Sequence, residues 1–319
     1  MGSRLKLISL TANVELTKEI AKILNVNVLK TTVTHFADGE ILFEGNETFR
    51  GDNVYIIQST CNPVNERLME LLLCIDACKR AGAQSITCVI PYFGYSRQDR
   101  KAKARQPISA KLVSDLIETA GADRMVCMDL HAPQIQGFFN IPVADVKALP
   151  LFAQYFKKLN LDDVVCVSPD HGGAVRTSKL ASLLNTPLAI IDKRRPAPNK
   201  AEIIGVVGDV KNKNCIILDD MVDTAGTLCL AAQQLKELGA KNVYAAISHG
   251  VLSGNALEKI KNSCIKELII TDSIPLSDDK MIDNIKVLSI AKLIASIIDA
   301  MEKGESTTEA NQKIEFGNY

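Results

Sequence analysis

The chain has no excess of either charge: 37 Lys and Arg balance 37 Asp and Glu. Binders of nucleic acid and other polyanions draw affinity from surplus positive charge, so that class of partner is not expected. Small anionic substrates remain open through two local basic clusters. No apolar run approaches the ~20 residues that span a bilayer, which argues against a membrane protein. Leu5 to Leu10 is too short, and too interrupted by Lys6 and Ser9, for a secretory signal core. The nine cysteines include no paired C-x-x-C spacing and lie mostly in apolar stretches. That pattern fits reduced thiols in a cytoplasmic protein. Cys74 and Cys78 share a helix face, but with no His or third Cys nearby they read as core.

What is present is a regular alternation of short apolar strands with amphipathic helices, the signature of a parallel α/β sheet with right-handed crossovers. Leu5 to Leu10, Val54 to Gln58, Ile86 to Ile90 and Val126 to Met128 read as strands. Leu16, Ile20, Ile23 and Leu24 mark one helix, and Leu68, Leu71, Leu72 and Ile75 another. A further helix ends at Gly121. At 319 residues the chain is long for one core. The second half repeats the first: Leu5–Asn13 parallels Val164–Gly172, Asn53–Thr60 parallels Asn214–Met221, and Lys79–Ile86 parallels Lys236–Val243. A duplicated domain is expected, with the boundary near Val146 to Pro150, giving domains 1–147 and 148–319. The first copy carries Gln58-Ser59-Thr60 where the second carries Asp219-Asp220, so only the second is expected to be active. Two segments interrupt the alternation. Tyr92 to Ile108 is polar and basic and reads as a long functional loop. Arg194 to Ala201 follows a strand at Leu188 to Ile191, and its prolines argue against regular structure. The tail from Gly304 lacks apolar periodicity and is expected to be only partly ordered.

The most informative stretch is Asn214 to Thr227, NCIILDDMVDTAGT. Cys215 to Leu218 read as a buried parallel strand, with Asp219 and Asp220 at its carboxyl end, where open α/β sheets place ligands. Asp223-Thr224-Ala225-Gly226-Thr227 then opens a helix with apolar residues at Leu228, Ala231, Ala232, Leu235 and Leu238. A small-residue loop at a helix start offers free N–H groups and a positive dipole end to a phosphate. Carboxylates beside it would repel that phosphate unless they bind sugar hydroxyls, a metal ion, or both. The stretch therefore reads as a ribose-phosphate cradle, and it resembles the phosphoribosyl-diphosphate loop of the type I phosphoribosyltransferase fold.

Other candidates are weaker alone. Asp170-His171-Gly172-Gly173 follows the strand Val164–Ser168 and opens a helix with Val175, Leu180 and Leu183; it suits a diphosphate, with Asp170 placed for Mg²⁺. His131 ends a strand of the first domain and is a candidate metal ligand. Lys193 and Arg195 are cations on a loop suited to closing over a transferring phosphoryl group. Phe36, Asp38, Gly39 and Glu40 could stack on and hydrogen-bond a nucleobase, and Arg97 and Gln98 would meet phosphates. Singly, each also reads as an ordinary turn, a structural histidine or a solvated charge run.

Together, FADGE, PYFGYSRQDR, MDLHAPQIQGFF, SPDHGG, DKRRP, GDV and DDMVDTAGT occur in the order found in ribose-phosphate pyrophosphokinases, a resemblance running from about Leu5 to about Ile298. It implies an α/β fold of two duplicated type I phosphoribosyltransferase-like domains, each a mostly parallel sheet flanked by helices. It also implies transfer of the β,γ-diphosphoryl group of Mg²⁺-bound ATP to the C1 hydroxyl of ribose 5-phosphate, giving phosphoribosyl diphosphate and AMP. By that resemblance Asp38, Gly39, Glu40, Arg97 and Gln98 bind ATP, and His131 and Asp170 serve Mg²⁺. Lys193 and Arg195 match the family's catalytic cations, while Asp219, Asp220 and Asp223 to Thr227 take the ribose and its 5-phosphate. The family commonly forms homohexamers activated by phosphate and inhibited by ADP. The chain departs from the family at its tail, from Glu305 onward, which weakens the inference of ADP inhibition, and Ala225 replaces a common Gly. A base phosphoribosyltransferase would share the cradle but need no ATP site. A non-catalytic synthetase-associated subunit would carry eroded motifs, and here they are intact.

Overall fold

Short β-branched runs become parallel strands in both halves of the chain. The computed structural model describes residues 5–197 and 200–313, with the backbone alone for residues 193–204 and 313. It divides into two units, the first comprising the described residues up to Lys147 together with Ser273–Pro275 and those from Ser289 onward. The second comprises Ala148–Asp272 and Leu276–Leu288.

In chain order the first unit contains β1 (Leu5–Ser9), α1 (Val14–Leu24), β2 (Thr31–His35), β3 (Ile41–Gly45), β4 (Asn53–Ile57) and α2 (Val64–Arg80). It continues with β5 (Ser85–Ile90), α3 (Ser109–Ala120), β6 (Arg124–Met128) and β7 (Val143–Val146). The five strands of its main sheet are all parallel in the order β1-β4-β5-β6-β7, and β2 and β3 form a separate antiparallel hairpin. The second unit contains α4 (Leu149–Leu159), β8 (Val164–Ser168), α5 (Ala174–Leu184), β9 (Leu188–Ala197), β10 (Lys200–Val207) and β11 (Asn214–Val222). After it come α6 (Gly226–Glu237), β12 (Asn242–Gly250), α7 (Ala256–Lys261), β13 (Ile265–Thr271) and β14 (Ile285–Leu288). Its sheet runs β10-β9-β8-β11-β12-β13-β14, parallel except for the β9–β10 pair.

The duplication is visible in the pairing itself. The order β1-β4-β5-β6-β7 recurs as β8-β11-β12-β13-β14, and a hairpin falls between the first two strands of each copy in sequence. The registers coincide as well: Leu5, Asn53 and Ser85 lie abreast in one sheet, as Val164, Asn214 and Asn242 do in the other. Strands covered on both faces read as continuous apolar runs. Val54 to Ile57 and Cys215 to Leu218 are accordingly buried throughout, each large side chain contributing roughly 1.5–3 kcal/mol on removal from water. Cys74 and Cys78 lie fully buried in the first core, and no disulfide joins any of the described cysteines. Among the described residues no helix is long and apolar enough to cross a membrane.

The structure corrects four expectations. The domain assigned to 148–319 loses its C-terminal part: α8 (Ala291–Lys303) and α9 (Thr307–Lys313) belong to the first unit. There α8 packs on α1, Glu302 accepts hydrogen bonds from Tyr55 Oη (2.9 Å) and Asn53 Nδ2 (3.1 Å), and Asn311 Oδ1 accepts from Lys147 N (2.8 Å). Within the tail, Thr307 to Lys313 form a helix, which leaves the expectation of partial order standing. The segment Arg194 to Ala201, whose prolines argued for irregular chain, extends β9 to Ala197 and begins β10 at Lys200. Pro196 is tolerated because it falls where the β9–β10 ladder is irregular, between the Ala197–Lys200 and Arg194–Glu202 pairs. Finally β11 does not stop at Leu218 but runs on through both acids to Val222. Leu238, expected within the helix, is instead the residue just past the end of α6 and is exposed.

Candidate active site

β11 outlasts one of its neighbours. Pairing with β8 ends at Ile217, whereas pairing with β12 continues to Val222. Asp219 and Asp220 therefore stand at the carboxyl end of the sheet with backbone support on one side only. Successive strand residues face opposite ways. The Asp220 side chain is 6 % exposed and the Asp219 side chain 36 %, so Asp219 is the more accessible of the two. Arg176 Nη1, from the first turn of α5, lies 3.1 Å from Asp220 Oδ1 and 3.8 Å from Asp219 Oδ1. Desolvation, followed by the adjacent Asp220 carboxylate, pushes the Asp219 carboxyl up to about 7, against a smaller opposing effect of Arg176. Sugar hydroxyls or a cation arriving at the pair would favour its ionised form.

The loop Asp223–Thr227 leads from this pair into α6. Ala225 is its N-cap residue and adopts φ +58°, a left-handed conformation costing roughly 1–2 kcal/mol for a residue with a Cβ. Its methyl is buried in the core of the second unit, which offsets part of that cost. Alternation of right- and left-handed residues turns successive N–H groups toward one point, the form of an anion nest. Thr224 and Thr227 are exposed.

A second glycine-bearing turn follows β8. Asp170 Oδ1 accepts the Gly173 N–H (3.0 Å), and Ser168 Oγ donates to the Asp170 carbonyl (2.6 Å), which fixes the entry to α5. A Cβ on Gly173 would lie 2.9 Å from Ser168 Oγ, so a larger residue there would push this hydroxyl from the Asp170 carbonyl. His171 Nε2 lies 3.2 Å from Asp192 Oδ1 on β9, and Gly172 is exposed. Asp170 supplies a hard oxygen, the ligand type Mg²⁺ takes, and Mg²⁺ needs only one or two such protein ligands beside substrate phosphates. Lys193 and Arg195 lie on β9, but their side chains fall outside the described residues.

In the first unit, Phe36, Asp38, Gly39 and Glu40 form the tip of the β2–β3 hairpin. Phe36 N donates to the Glu40 carbonyl (2.8 Å), Glu40 N to Asp38 Oδ1 (3.1 Å), and Gly39 has φ +94°. Phe36 is 48 % exposed, an aromatic face available for stacking. Arg97 and Gln98 are exposed on the segment between β5 and α3. Gln98 is partly committed to starting α3: its Oε1 accepts from Ser109 Oγ (2.5 Å) and its carbonyl from Ala110 N (3.2 Å). His131 is exposed just past β6.

The position in the first unit matching the acid pair is internally satisfied. Gln58 Oε1 accepts from Ala12 N (2.9 Å), and Gln58 Nε2 donates to the buried Glu70 carboxylate (2.7 Å). Asn13 Oδ1 accepts from Ser59 N (2.6 Å), and Thr60 Oγ1 accepts from Gly94 N (2.6 Å). Side chains of the unit itself thus fill the position that in the second unit holds the partly exposed Asp219. A cavity of about 520 Å³ in the second unit lies at the opposite, amino-terminal edge of the sheet, beside Lys157, Asp163, Thr186 and Lys213, and is unrelated to the cradle. Arg176 escaped the sequence reading. Its one signal is that it is a cation in the first turn of a helix opened by a glycine turn, a position where the dipole disfavours positive charge.

Duplicated α/β units with an acid pair at a strand end and phosphate-type loops on helix starts define an enzyme of phosphorylated-sugar chemistry. Comparison with known proteins narrows the class. Residues 5–121 match the N-terminal domain of ribose phosphate pyrophosphokinase, and residues 165–310 match the phosphoribosyl synthetase-associated domain. The chain is 55 % identical over 306 residues to a ribose-phosphate pyrophosphokinase of Oceanobacillus iheyensis, covering 96 % of each. It is 54 % identical over 304 residues to that of Bacillus subtilis, covering 95 % of this chain and 96 % of the relative. A solved phosphoribosylpyrophosphate synthetase from Mycobacterium smegmatis superposes with a TM-score of 0.89 at 44 % identity, over 94 % of this chain and 99 % of that one. The chain belongs to the ribose-phosphate pyrophosphokinase family.

Proposed function

We propose that the chain transfers the β,γ-diphosphoryl group of ATP to the C1 hydroxyl of ribose 5-phosphate, releasing AMP and phosphoribosyl diphosphate. The observation that carries this reading is the asymmetry of the two copies: in the second unit a partly exposed Asp219 stands at the strand end beside the Asp223–Thr227 turn, while the matching groups of the first are taken up by the unit's own side chains. Asp219 and Asp220 accept hydrogen bonds from the ribose hydroxyls, and the N–H groups of Asp223–Thr227 hold the 5-phosphate. The turn Asp170–Gly173 takes the diphosphate. Phe36, Asp38, Gly39 and Glu40 receive the nucleobase, and Arg97 and Gln98 the nucleotide phosphates.

Attack at phosphorus needs in-line positioning and neutralisation of spreading charge more than covalent chemistry. Lys193 and Arg195 supply fixed positive charge to the group in transit. Asp170 and His131 are the residues that would hold Mg²⁺, which when bound neutralises phosphate charge. Arg176 keeps the acid pair partly balanced when no sugar is bound. A base phosphoribosyltransferase is disfavoured by the match across both units, and a non-catalytic subunit by the intact acid pair and both phosphate-type loops. Assembly as a homohexamer and a cytoplasmic location are the further parts of this reading. The test is to supply ATP, Mg²⁺ and ribose 5-phosphate and to separate the nucleotides. AMP formation that requires ribose 5-phosphate is expected, and its absence would refute the assignment.

A further inference from the structure

Three consecutive carbonyls at the end of β11 are drawn to the same neighbour. Leu252 N donates to Val222 O (3.1 Å), Ser253 N to Asp223 O (3.0 Å), and Lys259 Nζ to Thr224 O (3.0 Å). All three donors come from the connector after β12 and from α7. In a planar trans peptide the N–H points opposite to the C=O. Anchoring the carbonyls of Asp223 and Thr224 to this connector therefore turns the N–H groups of Thr224 and Ala225 away from it. The left-handed turn at Ala225 then carries the chain into α6. The loop is shaped from behind, and two of its three anchors are backbone groups that side-chain changes short of proline leave in place.

The third anchor is a side chain carrying a charge. Lys259 is half-buried, and its Nζ lies 3.9 Å from where a Cβ on Gly226 would stand, so the ammonium sits against the loop itself. An ammonium bound to a carbonyl polarises that peptide and strengthens the N–H on its other side as a donor. It also adds a positive charge close to any anion held by the loop. Resting on the reading of Asp223–Thr227 as the 5-phosphate cradle, we propose that Lys259 is a positioning residue for the sugar phosphate, acting through the Thr224 carbonyl and not by touching the reacting atoms. Its effect belongs to binding of the phosphorylated sugar, because the 5-phosphate does not change charge during transfer at C1.

The test is initial-rate kinetics with ribose 5-phosphate and ATP varied separately. Lys259→Met should raise KM for ribose 5-phosphate about tenfold, the usual scale for one charge-assisted hydrogen bond. KM for ATP and kcat should stay within about twofold, and Lys259→Arg should recover most of the loss. Lys259→Gln, which keeps a polar arm without the charge, covers the case in which the methionine variant is insoluble and should behave likewise. A general loss affecting both substrates, with no recovery by arginine, would make Lys259 a merely structural residue and overturn the proposal. If Lys259→Met leaves KM for ribose 5-phosphate unchanged while Asp223→Asn raises it, the proposal falls and the cradle reading stands. If neither variant moves that KM, both fall together.

Discussion

Asp219 and Asp220 are neighbours in the chain, yet the strand gives them different surroundings: Asp220 is buried against Arg176 and Asp219 is partly exposed. With its carboxyl raised to about 7, Asp219 is protonated below that pH and ionised above it. Hydroxyl donors and cations bind the ionised form. KM for ribose 5-phosphate should therefore rise as pH falls through about 7, by up to tenfold per unit, and level off above it. Asp219→Asn should raise KM overall and flatten this dependence, which pH-resolved initial rates would reveal; an unchanged profile would remove Asp219 from the site. Lys193 is expected to act on turnover instead. A preorganised cation facing developing charge is worth roughly 10² to 10³ in rate, so Lys193→Ala should lower kcat by that factor with little change in either KM. A pure KM effect would mean it only gathers substrate. The acid pair and both phosphate-type loops were legible in the sequence because local chemistry defines them. Arg176 and Lys259 were not: each reaches its partner from another element, and only tertiary packing brings Lys259 to Thr224, 35 positions away.

At the scale of elements, local propensity gave way to pairing in two places. Aspartates are depleted from strands and proline is confined to their edges or irregularities, so β11 beyond Leu218 and the end of β9 both read as chain breaks. β12 keeps its ladder with β11 through the acids, and β10 supplies β9 with a partner, which outweighs the side-chain preference. The helix α8 carries a different lesson. Leu293, Ile294, Ile297 and Ile298 recur at helical spacing, but periodicity does not say which core a helix covers. Ile294 is fully buried on α8, which packs on α1 of the first unit. Ile294→Ala should cost roughly 2–5 kcal/mol of stability. Hydrogen exchange should show the loss of protection in β1 and α1, with β11 and β12 unaffected. Deprotection of the second unit instead would contradict the assignment of the C-terminal helices.

Across the whole molecule, one architecture is used twice with opposite outcomes. The strand order and register agree between copies, so the difference lies in a few residues at equivalent strand ends. Gln58, Asn13 and Glu70 close one copy with its own side chains, whereas the other presents a partly exposed Asp219 at the same strand end. The duplication was visible in sequence because the strands and their turns keep the same spacing; the internal closure of the first copy was not, since it depends on hydrogen bonds between residues far apart in the chain. The central claim is that this enzyme moves a diphosphoryl group intact to C1 of ribose 5-phosphate. Phosphorus NMR of a mixture of enzyme, ATP, Mg²⁺ and ribose 5-phosphate tests it most directly. The account predicts a pair of doublets from a ribose-linked diphosphate growing in step with AMP. Stoichiometric ADP accompanied by a ribose monophosphate ester at C1 would contradict it.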